Sequence, residues 1–391
     1  MNINSFQLQE YTVSLYSSTT ELPQSWDALA EEYDILLSKA YLQAIEAASP
    51  VGMKLYFATF KKEENLVAIA VFQHYNIKGK DAFRPQKESK SFLDQLSYYG
   101  KKIVSYPLNF KVLTAGNLTL TGEHAYCINH HAIEEKDFYP LWVEAIEKIK
   151  KESKAQVVLI KDFYTHATHP FSVLKKNHIS FEVEPNMALK IREEWIDFQS
   201  YVDSMEKKYR ARVQTARKKS ESITKKILTE EEVKFHQESI YKLYKSVSDN
   251  ATFNTFVLPE NYFYEMKKSL QDKFSVVAYF QEDKIVGFFS IFKNRKELDT
   301  HFLGYCPILN RDYQLYFNML LDMVSIGIYE KFRRIVFGRT AVEIKSTIGA
   351  EPFDMLCFIQ LRNPILHQMT QPVIRYFKSD NQFVYRSPFK A

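Results

Sequence analysis

One order of elements runs through this chain twice, and that repetition limits its fold more than any other feature. In the first half, KLYFATF, a polar turn KKEEN and LVAIAVFQHYNI set β-branched and aromatic runs on either side of a short polar break, which reads as a β-hairpin. A strand in FKVLTAGNLTL follows. In EKDFYPLWVEAIEKIKKES, Phe138, Leu141, Ala145 and Ile149 then fall at helical spacing. QVVLIKDF reads as a buried strand, HPFSVLKKNH as a short helix and ISFEVEPNMALKI as a strand. The second half repeats the order: FSVVAYF, turn QED and KIVGFFSIF as a hairpin, ELDTHFLGY as a strand, RDYQLYFNMLLDMVSIGIYEK as one long helix, RRIVFG as a buried strand, AVEIKSTIGA as a helix and PFDMLCFIQL as a strand. Residues repeat as well as patterns. Ala58-Thr59-Phe60 precedes the first turn as Ala278-Tyr279-Phe280 precedes the second, and Val67 and Val286 follow at similar offsets. Alternating strand and helix signals specify an α/β fold. A repeat this long implies duplicated domains, because a solenoid would recur every roughly 20–50 residues.

A length of 391 residues fits two domains. The expected division is a first domain over 1–192, a basic bridging helix over 193–225 and a second domain over 226–391. The bridge is read from EEWIDFQSYVDSMEKKYRARVQTARKKSESITKK. Before the first hairpin, a strand is expected at Thr12–Tyr16 and helices at PQSWDALAEEY, with Pro23 at its start, and at SKAYLQAIEAAS. GKDAFRPQKESKS is expected to be a loop.

Composition excludes several function classes. Ten glycines, with no GxSxG, P-loop or GxGxxG, leave hydrolase, NTPase and dinucleotide chemistry without a foothold. Cys127, Cys306 and Cys357 are too few and too scattered for a disulfide framework. MNINSFQLQEY shows no leader pattern, and the most apolar stretch, LYFNMLLDMVSIGIY, is short for a span and contains Asp322. A cytoplasmic location is the expectation. His124, His130, His131, His166, His169 and His178 gather in the first half without an HExxH or CxxC pattern, so no metal site is expected.

Three groups of residues could carry chemistry. Arg339, Glu343 and Lys345 follow the strand RRIVFG, and ligands of open α/β sheets gather at the carboxyl ends of strands. Gly338 permits a tight turn there. Arg339 suits a phosphate or carboxylate, Glu343 could take a proton from an ammonium, and Lys345 could stabilise an oxyanion. The bland alternative is the exposed charged face of a short helix. Asp299, His301 and Tyr305 alternate along ELDTHFLGY, and His301 has the intrinsic pKa for proton transfer near neutrality, unless it is a hydrogen-bonded core histidine. The run Lys207, Lys208, Arg210, Arg212, Arg217, Lys218 and Lys219 makes one helix strongly basic in a chain whose net charge is only +5. A solvated helix, a site for the phosphates of a nucleotide-linked donor or of an anionic lipid, and a contact with a tRNA backbone all fit that run.

The order of elements resembles the GNAT (Gcn5-related N-acetyltransferase) fold. Two copies in one chain resemble the Fem-type peptidyltransferases and their FemAB-like, peptidoglycan-recognition-type acyltransferase relatives. The resemblance is carried by LSKAYLQAIEAAS, DFQSYVDSMEKKYRARVQTARKK and FGRTAVEIKSTIGAEPFDMLCFIQLRNP. In that family a Phe-Lys pair, followed by an aromatic residue and Gly, lies in the last helix; Ile344-Lys345 and Ile348-Gly349 match it with the aromatic residues replaced. The acetyl-CoA pyrophosphate loop, (Q/R)xxGx(G/A), would fall at PILNRDYQLYF, which has no glycine; HHAIEEKDF in the first half has none either. The resemblance implies tandem GNAT-like domains and N-acyl or aminoacyl transfer to a small-molecule amine. The donor would be an acyl-CoA, an acyl carrier protein or an aminoacyl-tRNA. Catalysis would fall to Lys345 with Glu343 or His301, and substrate binding to Arg339, Tyr305, Arg210, Arg212 and Lys207. Two other readings stand beside it. One is a lipid-modifying N-acyltransferase acting on a long-chain amine in peripheral contact with an anionic membrane, a reading the 15% aromatic content suits. The other is a non-catalytic GNAT-fold binding protein.

Overall fold

A computed structural model describes residues 5–50, 52–78, 109–166, 171–250, 256–365, 367 and 383–390. The expected loop GKDAFRPQKESKS and His169 lie outside the described residues. Contacts divide the chain into two compact units. The first comprises Met1–Val183, Asn250–Pro259 and Asp354–Asp380; the second comprises Glu184–Asp249, Glu260–Phe353 and Asn381–Ala391. This division differs from the expected boundaries after 192 and 225, for reasons seen in the pairing of two strands.

The first unit contains β1 (Phe6–Leu8), β2 (Tyr11–Tyr16), β3 (Lys54–Lys62), β4 (Asn65–Lys78), β5 (Asn109–Ala115), β6 (Tyr126–Ile128) and β7 (Val157–Tyr164). They run in the order β1-β2-β3-β4-β5-β7, with β6 off β4. The sheet is antiparallel except where β5 and β7 pair in parallel, from Val112↔Val157 to Ala115↔Ile160. The strand FKVLTAGNLTL therefore stops at Ala115, and the rest is loop. The helix Glu135–Ser153 buries Phe138, Leu141, Trp142, Ala145 and Ile149, the apolar stripe legible in the sequence, in one cluster with Phe60, Ala70, Leu113 and Ile160 of the sheet. It ends at Lys154, which is left-handed at φ 55°, with Lys150 and Lys151 beside its negative end. A strand from the end of the chain, β14 (Glu351–Leu361), completes this unit by pairing antiparallel with β7, from Met355↔Tyr164 to Leu361↔Val157.

The second unit is built from β8 (Ile179–Lys190), β9 (Ile223–Ile227), β10 (Phe274–Gln281), β11 (Lys284–Asn294), β12 (Glu297–Tyr305) and β13 (Arg334–Gly338). Their order is β8-β13-β12-β11-β10-β9. The later residues of β8 count here because Met187–Lys190 pair antiparallel with β13. The segment expected as one bridging helix is Phe198–Asp203, Lys207–Lys219 and then β9, an edge strand on β10. Its division is chemical. Asp197 caps the first helix through a reciprocal box with Ser200, and the lysine-rich ITKKI keeps an edge strand charged. Tyr209, Val213 and Ala216 bury one stripe of Lys207–Lys219 in this unit's core. Three helices, Glu230–Phe235, Gln237–Ser248 and Tyr262–Leu270, lie in a stretch for which no element was expected. The long apolar helix is broken at left-handed Gln314 (φ 48°) into Pro307–Tyr313 and Leu315–Tyr329.

The repeat is visible in backbone geometry. Each hairpin closes with a two-residue turn, between Lys62↔Asn65 and between Gln281↔Lys284. Its first residue is a glutamate in left-handed conformation, Glu63 and Glu282, both at φ 53°. Each has a register shift beside the turn, at Phe60/Lys61 and at Tyr279/Phe280.

Candidate active site

In the second unit β12 and β13 start as parallel neighbours and then part. Their pairing runs Glu297↔Arg334, Leu298↔Ile335, Asp299↔Val336 and stops there, while β12 continues to Tyr305. On its other edge β12 carries a bulge: Thr300 faces Ile291 and Leu303 faces Phe289 across one intervening residue, Ser290. The extra residue reverses the alternation of side chains. Leu298, Leu303 and Tyr305 all meet the core that holds Leu315–Tyr329, whereas Asp299, next to Leu298, faces the other way. The expected common face of Asp299, His301 and Tyr305 is thereby corrected for Tyr305.

His301 lies among the rings of Tyr262, Phe274, Phe292 and Phe302. Its Nε2 is 3.0 Å from the Tyr262 hydroxyl, and its Nδ1 is buried with no hydrogen-bond partner. Burial pushes its pKa down to about 3, so the ring is neutral near pH 7 and a poor proton acceptor. The histidine expected to shuttle protons is partly buried and packed among aromatic rings on the face away from Tyr305.

At the open end of the parting strands Tyr305 is half-buried, with its ring 5.9 Å from that of Tyr316. Burial raises both phenols, most strongly Tyr316, which the neighbouring Tyr305 raises further. Ser246 Oγ donates to the Tyr305 carbonyl at 2.8 Å. Just before Tyr305, Gly304 allows a helix to lie directly on the strand: a Cβ there would come within 2.3 Å of the Leu243 carbonyl carbon and 2.5 Å of Tyr244 N.

The turn after β13 is unusual. Gly338, Thr340 and Ala341 all have left-handed backbones, at φ 71°, 66° and 48°, which costs energy at the two non-glycine positions. Lys345 holds this turn from beneath. It is 5% exposed, and its Nζ donates to Phe337 O at 2.8 Å, Gly338 O at 3.1 Å and Arg339 O at 2.6 Å. An ammonium has three protons, and all three are engaged. Burial pushes its pKa down to about 7, opposed by Glu184, while the three carbonyls require the full ammonium as donor. The expected helix AVEIKSTIGA is only Val342–Ser346, so Lys345 sits in its last turn. Arg339 is half-buried at the carboxyl end of β13, on the strand next to the one that ends at Tyr305. Glu343 is exposed and paired with Arg386, a contact that occupies the carboxylate expected to take a proton.

The basic helix divides by function. Arg217 is turned inward, 2.6 Å from Asp322, which also takes Lys225 at 2.8 Å and the Tyr279 hydroxyl. Arg210 reaches back to Asp203 O at 3.3 Å, and Arg212 lies 4.7 Å from the centre of the Phe317 ring. Lys207, Lys208, Lys218 and Lys219 are exposed.

The same position in the first unit is closed by its own residues. Beyond the last β5–β7 pair, Lys161 donates to Asn117 O and to Leu120 O (2.8 Å) and lies 2.8 Å from Asp162 Oδ2. Gly116 makes room for that side chain, since a Cβ there would be 2.6 Å from Lys161 Cγ. Asp162 also accepts from Gly122 N at 3.3 Å, and His124 Nδ1 is 2.6 Å from Asp34 Oδ2 in the same loop region. Of these residues only His124 was singled out from the sequence, as one of the clustered histidines. The available signal was the pair Lys161-Asp162 inside the otherwise apolar run QVVLIKDF. Among the described residues no three His, Cys, Asp or Glu side chains are grouped to hold a metal ion.

No protein-family model and no curated protein matches the sequence. Solved structures do match its fold. The chain is similar to FemX, at 12% identity and a TM-score of 0.55, covering 90% of this chain and 98% of that one. It is also similar to a tandem GNAT protein from the clavulanic acid biosynthesis pathway, at 8% identity and a TM-score of 0.50 over 90% and 99% of the two chains. A third likeness is to a conserved protein of unknown function from Bacteroides thetaiotaomicron, at 9% identity and a TM-score of 0.50 over 88% and 98%. The fold is the tandem GNAT type that the sequence resemblance implied.

Proposed function

We propose that the chain is an N-acyl or aminoacyl transferase whose second unit holds an activated acyl donor between the parting strands β12 and β13. The observation that carries this reading is the contrast between the units. On the side toward β13, β12 runs on past its last pair from Thr300 to Tyr305 with no strand beside it among the described residues, while β11 pairs with its other side, so a donor's amide or carbonyl groups can add to the free edge. The equivalent place in the first unit is filled by Lys161 and Asp162. Tyr305 and Arg339 stand at the carboxyl ends of adjacent strands, where ligands of such sheets collect. Arg339 suits the donor's phosphates.

In this reading the acceptor amine attacks the donor's acyl carbon, and the amide bond forms as the bond to the leaving sulfur or oxygen breaks. The amine's proton passes to solvent. Tyr305, kept protonated by burial, donates its proton to the departing group. Glu343, tied to Arg386, and His301, on the opposite face, take no part in the transfer. Lys345 shapes the turn that presents Arg339 and is a positioning residue. The donor is an acyl-CoA, an acyl carrier protein or an aminoacyl-tRNA. A long-chain amine acceptor is the second reading, favoured by the aromatic core around Tyr305 and Tyr316.

The test is release of free thiol or deacylated tRNA from each donor class in the presence of an amine panel. Turnover is expected with one class, and Tyr305→Phe should lower kcat by roughly 10²-fold with little change in KM. Turnover unaffected by Tyr305→Phe and by Arg339→Ala would remove the site from this cleft.

A further inference from the structure

We infer that the second unit docks on an anionic lipid surface through a patch built from two packed helices, Lys207–Lys219 and Pro307–Tyr313. Lys207–Lys219 contains no acidic residue. With Tyr209, Val213 and Ala216 buried beneath it, Lys207, Lys208, Lys218 and Lys219 face outward and Arg212 flanks them. Lys208 is 70% exposed, 3.8 Å from Glu206 and 4.8 Å from the centre of the Tyr209 ring. Arg217, the helix's one basic residue paired with a buried-side carboxylate, is neutralised by Asp322, so the outward charge is not cancelled from within.

The second helix supplies what a solvated basic helix lacks. Pro307–Tyr313 packs against Lys207–Lys219 on the side where Arg212 lies over Phe317. Its Ile308 is 81% exposed, and Arg311, also exposed, follows three residues later on the same helix face. An exposed isoleucine on a helix packed against a basic helix suits an interfacial anchor: the apolar side chain enters the acyl boundary while the cations meet lipid phosphates. Exposed Ile308 favours a lipid surface over a nucleic-acid backbone, which needs cations alone, and the helix's only aromatic residue, Tyr209, is 8% exposed and offers no stacking face to a base.

Co-sedimentation of the full chain with vesicles tests this. Binding is expected to vesicles of phosphatidylcholine with phosphatidylglycerol, not to phosphatidylcholine alone, and to weaken as salt is raised. Lys208→Glu with Arg212→Glu and Lys219→Glu should lower the affinity roughly tenfold or more. Ile308→Asp alone should also lower it severalfold, with the far-ultraviolet spectrum and melting temperature unchanged. Equal binding to both vesicle types overturns the proposal. So does binding that ignores Ile308→Asp and is displaced by unacylated tRNA, a result that would assign the patch to nucleic acid.

Discussion

Replacing Lys345 with methionine should lower the stability of the second unit by about 3 kcal/mol, a fall in melting temperature of roughly 6–12 °C for a unit of this size. Methionine keeps most of the side chain's bulk and removes its three donors. The carbonyls of Phe337, Gly338 and Arg339 then lose their shared partner, and the left-handed run at Gly338, Thr340 and Ala341 loses the clamp that offsets its strain. Urea or thermal unfolding measures the effect. A lysine that acted directly on the reaction would give the opposite pattern, with turnover falling by roughly 10²-fold and stability unchanged. Unaltered stability in Lys345→Met would therefore return this residue to the catalytic role that the family resemblance implies.

Replacing His301 with phenylalanine should flatten part of the acid limb of stability. Burial holds the folded-state pKa at about 3, against roughly 6.5 for an unfolded histidine. Between those values the unfolded chain binds a proton that the folded chain refuses. Folding is thus unaffected by this group above about pH 6.5 and loses stability progressively as pH falls toward 3. From pH 7 to pH 5 the histidine's contribution amounts to about 2 kcal/mol, before the carboxylates begin to titrate. His301→Phe should lose that slope while keeping the aromatic packing around Phe292 and Phe302. The lost bond to Tyr262 adds an offset that does not vary with pH. If wild type and variant weaken in parallel over this range, His301 takes up its proton without cost to the fold.

How far the sequence reveals the molecule depends on the range of the interactions that decide each part. The hairpins, the helix Glu135–Ser153 and the buried strands β7 and β13 follow from short-range periodicity, and Phe138, Leu141, Ala145 and Ile149 are all buried as their spacing requires. The pairing of β14 with β7 and of β8 with β13 is set by contacts far apart in the chain, which local pattern does not carry. Hence the expected boundary after 192 differs from the contact division. The helix break at Gln314 left little trace, because glutamine is an ordinary helix former. At the site, Tyr305 and Arg339 were readable from their place at strand ends. The bulge in β12 opposite Ser290 was not, and its single extra residue put Tyr305 on the face opposite Asp299 and His301. Lys345 was found by its type and position, but its burial against three carbonyls depends on the turn above it.

The central claim is that the activated donor lies along β12 in the second unit. Hydrogen–deuterium exchange measured with and without each donor class tests it most directly. With the donor that binds, amides in Thr300–Tyr305 and in Gly338–Ala341 are expected to slow, while the loop Gly116–His124 of the first unit, already closed by Lys161, exchanges as before. Protection confined to Gly116–His124, or no change in Thr300–Tyr305 under saturating donor, would contradict the claim.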